Sequence, residues 1–313
     1  MIDFIGIGAP KCGTTSIAQH LLEHPEISLF KFKESQYFSE YGPPDVSLPY
    51  KYEKDGINGY RKLFSMYGID FSKKVGEFSP QYIYDTTAAK RIKKHFPNIK
   101  LIVSLRNPVN RIYSEFNMVK YLRIPTDSSY DMKKFRSDAN YSFEQAIKEH
   151  PQLMRNSEYY EQLKVYFELF PKENIKVIIF EEFIKNSEQS VKDLYNFLSV
   201  DKSFMPPSIN KAMHQTKKVK SKKVGLFLSA IPKISTFMRK HNLDFLINTL
   251  RKAGIEKGVS EIENKNRVSM EKIPMKEETK KELYKKFLPE IEKLENLLGK
   301  DLSIWKKQIL SKK

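Results

Sequence analysis

The stretch Phe4-Ile5-Gly6-Ile7-Gly8-Ala9-Pro10-Lys11-Cys12-Gly13-Thr14-Thr15-Ser16 opens the chain after three residues and reads as a short buried strand, a glycine-framed loop and the start of a helix. It nearly spells the phosphate loop G-x-x-x-x-G-K-[ST], in which lysine reaches the terminal phosphates and the next hydroxyl holds magnesium. Gly8 and Gly13 keep the frame, but Thr14 occupies the lysine slot and Lys11 stands three residues earlier, inside the loop. The amides that open the following helix lack intrahelical acceptors, and the helix dipole adds positive potential, so the loop can still cradle an anion. What changes is the ligand's far end.

Working outward, residues 2–7 form the strand and 14–23 the helix, with Ile17, Ala18, Leu21 and Leu22 on one face. A second extended segment ends near Gly76-Glu77-Phe78, and a helix-like run over 84–95 leads into Lys100-Leu101-Ile102-Val103-Ser104-Leu105, apolar enough to be a strand buried on both faces. Helices follow over 109–121 and about 156–170, then a strand at 175–180. Strands alternating with helices predict a three-layer α/β/α architecture with a mostly parallel central sheet, in a single domain over 1–313. Irregular, Pro/Gly-rich or polar stretches at 41–56, 122–140 and 205–260 read as insertions on that scaffold. The helix over 276–298 is charged and ends at Gly299, which suggests a solvated packing element.

Lysine and arginine total 55 against 38 acidic residues, a net charge of +17, which favours anionic partners such as nucleotides, acidic glycans or membrane surfaces. The aromatics show no ribonucleoprotein pattern, which disfavours nucleic acid. A single cysteine excludes an intramolecular disulfide, and six scattered histidines offer no metal-ligand spacing. Cys12 reads as a small space-filling member of the loop rather than a nucleophile. With no secretory signal and no apolar run of about 18 residues, the expected compartment is cytoplasmic.

A magnesium-dependent kinase needs an acidic residue at a neighbouring strand end. The strand at 101–105 ends instead in Arg106, within Leu105-Arg106-Asn107-Pro108-Val109-Asn110-Arg111-Ile112-Tyr113-Ser114. A guanidinium at the strand end and a hydroxyl two turns into the next helix can converge on one phosphate dianion. Two phosphate sites without a metal ligand suggest a nucleotide phosphorylated at two places. A P-loop kinase, and a non-catalytic basic protein binding a nucleotide, RNA or membrane, are the alternative readings.

Four motifs, in order, sharpen this: G-A-P-K-C-G-T-T-S at 8–16, K-E-S-Q-Y-F at 33–38, G-E-F-S-P-Q-Y at 76–82 and L-R-N-P-V-N-R-I-Y-S at 105–114. Together they resemble the sulfotransferases that use 3′-phosphoadenosine 5′-phosphosulfate (PAPS), and are most similar to the branch with the heparan sulfate N- and 3-O-sulfotransferase domains and their bacterial relatives. The ending LENLLGKDLSIW at 294–305 is also similar to bacterial members. The resemblance implies that Lys11, Gly13, Thr14 and Thr15 surround the 5′-phosphosulfate, with Ser16 nearby and Cys12 part of the same cofactor loop. It implies that Arg106 and Ser114 bind the 3′-phosphate, that Lys11 stabilises the leaving phosphate in place of a metal, and that Glu34 is the base. The product would be adenosine 3′,5′-bisphosphate, and the acceptor a glycan or small hydroxylated molecule.

One position departs from the pattern. Heparan-type members carry E-K-[ST] where this chain has Glu77-Phe78-Ser79, so a lysine expected near the sulfuryl group is missing. Glu77 is expected either to orient Lys11 or the acceptor, or to pair with a neighbouring cation. Lys265, Arg267 and Lys272 fall in a late polar loop where members supply further cofactor contacts, and the basic run 211–223 could steer an anionic acceptor or be an exposed linker.

Overall fold

The run Lys100–Leu105 forms β4, buried from Leu101 to its end, as an apolar strand covered on both faces should be. In the computed structural model, which describes residues 2–30, 34–40, 49–121, 140–209 and 273–310 with scattered positions between them, β4 lies inside a five-stranded parallel sheet. The order is β2 (Ile27–Leu29), β3 (Lys74–Phe78), β1 (Phe4–Gly8), β4 and β5 (Ile175–Ile179). From β1 the chain goes to the edge strand β2, returns as β3 beside β1 and then crosses to β4 on the other side. The carboxyl ends of β1 and β4 therefore flank a topological switch point, where open α/β sheets bind ligands.

Helices cover both faces. Helix α1 (Thr14–Glu23) packs Ile17 and Leu21 on one face, with Phe4, Phe78, Ile102 and Ile178 from the sheet. The other face takes α2 (Tyr52–Met66), α3 (Thr86–His95), α4 (Pro108–Tyr121) and α5 (Tyr159–Leu169) over Ile5, Ile7, Leu101, Val103 and Leu105. Phe4 and Phe78 lie over each other's neighbouring glycine: a Cβ on Gly76 would sit 2.2 Å from the Phe4 ring, and one on Gly6 2.2 Å from Phe78. These glycines set the spacing between strands and aromatics that α1 then covers.

The expected α/β/α fold is observed, with differences in its parts. β2 is a three-residue edge strand that the apolar pattern does not reveal. The stretch 41–56 is not all loop, because α2 begins at Tyr52 and is kinked at Gly56, whose φ of 52° is non-helical; residues 41–48 lie outside the described ones. Tyr60, Leu63 and Phe64 give α2 its buried face, and burial outweighs the two glycines in its first half. Most of 122–140 and 205–260 also lies outside the described residues.

Lys217–Val219 (β6) pairs antiparallel with Arg267–Ser269 (β7). Part of the basic run is thus strand rather than linker, and Arg267 belongs to a strand rather than a polar loop; Lys265 and Lys272 lie outside the described residues. The late helix α6 (Glu277–Leu298) does end at left-handed Gly299, but it is no solvated element: Leu283, Tyr284, Phe287, Ile291 and Leu294 are buried on the sheet's second face. Beyond it, Trp305 is fully buried. No described helix is long and apolar enough to cross a membrane.

Candidate active site

Beyond Gly8 the chain extends the sheet by one bond, Ala9 N–H to the Ser104 carbonyl at 2.8 Å, and then turns through left-handed Lys11 (φ 72°) and Gly13 (φ 79°) into α1. Gly13 is required twice over. Its φ favours glycine, and a Cβ there would lie 2.6 Å from the Phe180 ring. As the N-cap it supplies no side chain to the first turn of α1, so the helix opens on backbone donors that an anion can satisfy. Thr14 is buried and Thr15 and Ser16 are half-buried at this opening.

Cys12 faces inward. Its Sγ lies 3.7 Å from the Tyr159 hydroxyl, and its carbonyl accepts from Ser104 Oγ at 2.6 Å. Burial pushes the thiol up to about 11, so it stays protonated and shapes the loop, as expected of a space filler.

Arg106 leaves the end of β4 and donates from Nη1 to the Lys11 carbonyl at 3.3 Å, while its guanidinium lies 5.0 Å above the Phe180 ring. Phe180, the first residue after β5, thus packs against both Gly13 and Arg106. The Tyr159 hydroxyl donates to the Arg106 carbonyl at 2.9 Å. Asn107 caps α4 by accepting from Val109 and Asn110 N–H, with Pro108 at the first helical position. Glu181 joins this turn to the chain's last helix, accepting from Asn107 N–H at 3.0 Å and from Trp305 Nε1 at 2.8 Å. Arg106 Nε is buried and has no hydrogen-bond partner, an orphaned donor on an otherwise well-held side chain. Ser114 lies half-buried on α4.

Glu34 is half-buried, and its N–H donates to the Phe78 carbonyl at 3.0 Å just past β3. Since β3 is β1's neighbour, this places Glu34 at the same carboxyl edge as the loop. Its backbone is left-handed (φ 71°), as is that of Gln36 (φ 46°). Glu77 is fully buried and, among the described residues, accepts from hydroxyls rather than pairing with a cation. Burial raises its carboxyl above the ordinary range, although hydrogen bonds from Ser35, Tyr82 and Ser79 oppose the shift.

The sulfotransferase domain family matches residues 2–257. The chain belongs to the sulfotransferase family. A crystal structure of a sulfotransferase from Alicyclobacillus acidocaldarius superposes with a TM-score of 0.62 at 26% identity, covering 98% of this chain and 99% of that one. Membrane-associated sulfotransferase kil1 of Dictyostelium discoideum is 35% identical over 116 residues, 37% of this chain and 22% of the relative. Human carbohydrate sulfotransferase 15 is 23% identical over 251 residues, 63% of this chain and 43% of the relative. The chain thus spans less than half the length of these curated relatives.

In this chain the structure brings the loop and Arg106 into direct contact and sets Glu34 on the same edge of the sheet. Phe78, where heparan-type members have lysine, is 3% exposed and belongs to the core under α1. Sequence reasoning missed Phe180, Tyr159 and Glu181, and gave Trp305 no role beyond closing the motif at 294–305. Only Phe180 carries a readable signal, an aromatic at the carboxyl end of the apolar strand 175–179.

Proposed function

We propose that this sulfotransferase moves the sulfuryl group of PAPS directly to a hydroxyl or amine of an acceptor, a carbohydrate above all. The observation that carries the reading is the junction of Arg106 with the Lys11 carbonyl, its orphaned Nε beside a helix that opens without a side-chain cap. Two anion-binding elements that meet suit a nucleotide with phosphates at two places, and a buried donor without a partner is the kind of group a phosphate oxygen would satisfy. Bound PAPS supplies a sulfuryl group on a phosphate able to leave.

The chain's own residues do the rest. Lys11, Gly13, Thr14, Thr15 and Ser16 hold the 5′ end, with Cys12 shaping the loop, and Arg106 and Ser114 hold the 3′-phosphate. The Lys11 ammonium steadies charge gathering on the departing phosphate oxygen, work that magnesium does in kinases. Glu34 takes the proton that the acceptor's O–H or N–H gives up. A glycan acceptor is supported by the names of the relatives, among them a bifunctional heparan sulfate N-deacetylase/N-sulfotransferase 1 of Caenorhabditis briggsae. The net charge of +17 suits an anionic one.

Thermal stabilisation by nucleotides tests the donor. Adenosine 3′,5′-bisphosphate at about a hundred times its dissociation constant should add roughly 2.7 kcal/mol of stability, and ATP with magnesium much less. The reverse ranking would favour a kinase. Labelled sulfate transfer from PAPS to a panel of glycans, lipids and phenols, run in excess EDTA, then identifies the acceptor.

Arg106→Ala should weaken the bisphosphate by about 1.5–3 kcal/mol, the worth of a hydrogen bond to a charged group. Adenosine 5′-phosphosulfate, which lacks the 3′-phosphate, should bind nearly as before. Calorimetry showing equal losses for both would remove Arg106 from the 3′-phosphate.

A further inference from the structure

Around Glu77, direction as well as distance is set. Ser35 Oγ donates to Glu77 Oε2, Ser79 Oγ donates to the same oxygen at 3.4 Å, and the Tyr82 hydroxyl donates to Oε1 at 3.1 Å. Each of these hydroxyls also accepts from a backbone amide of the segment that follows Glu34. Ser79 takes Gln36 N–H at 3.0 Å, Ser35 takes Tyr37 N–H at 3.3 Å and Tyr82 takes Phe38 N–H at 3.2 Å. A hydroxyl has one proton to give. A carboxylate, which only accepts, lets all three protons point inward and leaves the oxygens to receive the amides.

We propose that Glu77 is a positioning residue for the acceptor side of the site: by orienting Ser35, Ser79 and Tyr82 it clamps the 34–38 segment and fixes the left-handed backbone that carries Glu34. The functional weight of this rests on the reading of Glu34 as the base. Left-handed conformations at non-glycine residues persist where surrounding contacts over-determine them, and here Glu34 and Gln36 flank the serine that Glu77 holds. The same clamp explains how a charged residue can sit fully buried within a strand, satisfied by hydroxyls.

Glu77→Gln tests it, because the amide keeps the volume and adds a donor. One hydroxyl must then accept from that donor, and its own proton loses its acceptor. Hydrogen exchange on the full chain should show the Gln36 and Phe38 amides opening about tenfold faster, the size expected for one lost hydrogen bond. Sulfate transfer should fall by a similar factor, with the bisphosphate dissociation constant within about threefold of wild type. In the Glu34→Gln background, adding Glu77→Gln should cost no further transfer, since residues acting through one another are not additive. Unchanged exchange at Gln36 and Phe38, or losses that multiply, would overturn the proposal.

Should Glu77→Gln not fold, Ser35→Ala removes one arm of the clamp and must loosen the Tyr37 amide in the same assay. Loosened amides together with transfer indifferent to Glu34→Gln would keep the clamp and remove Glu34 as the base.

Discussion

Glu34→Gln is expected to lower single-turnover sulfate transfer by about 10²–10⁴-fold, the contribution of a positioned general base, while the bisphosphate binds almost as it does to wild type. The substitution keeps the size of the side chain and most of its hydrogen bonding. The backbone that carries it is held by the Phe78 carbonyl and by the clamp around Glu77, so the change should remove proton acceptance without moving the loop. Both quantities are measured on one mutant preparation, once the panel has yielded an acceptor. Transfer within a few-fold of wild type would make Glu34 an ion-pair partner only. A matched collapse of binding and transfer would make it a support of the cofactor loop.

The central part of the fold was legible because its signals are local and strong. β4 and β5 are runs of apolar residues, α1 has a clear buried stripe, and Gly8 and Gly13 bracket the turn between β1 and α1. Arg106 stood out because an acidic residue is what a metal-using enzyme would place there. The start of α2 was hidden by chemistry that points the wrong way: Gly56 closes the Pro/Gly-rich stretch 41–56 that reads as loop, while Gly59 serves close packing, since a Cβ there would lie 2.2 Å from the Tyr37 hydroxyl. β2 pairs through only three residues, too few for a periodic pattern to register.

The supports of the site were illegible for another reason: they are long-range. Glu77 is satisfied by Ser35, 42 residues away in sequence, and Trp305 reaches Glu181 across 124 residues. A glutamate in strand β3 leaves its partner open between Lys11, an acceptor and a cation, and only the fold shows that hydroxyls from the 34–38 segment and from the turn after β3 surround it. The direction of its hydrogen bonds, not the presence of a carboxylate, carries the information. Likewise Phe78 reads as a missing lysine, whereas Gly6 opposite it shows a pocket shaped for a ring.

The displaced lysine gives the second large expectation. Lys11→Met keeps an unbranched chain of similar length and removes the charge, so transfer should fall by about 10²–10³-fold, the usual cost of losing one electrostatic stabiliser of a transition state. The backbone should survive: the Lys11 carbonyl takes the Arg106 hydrogen bond whatever side chain is present, and the left-handed φ of 72° is no harder for methionine than for lysine. Bisphosphate affinity should fall by much less than transfer, because charge gathers on the departing oxygen only as the bond to sulfur breaks. The decisive comparison is therefore between the two losses. If binding and transfer drop by the same factor, Lys11 attracts the nucleotide uniformly and stabilises no developing charge. If neither moves beyond a few-fold, Lys11 is a solvated loop residue, and the loop's departure from the usual phosphate-binding pattern has no part in the chemistry.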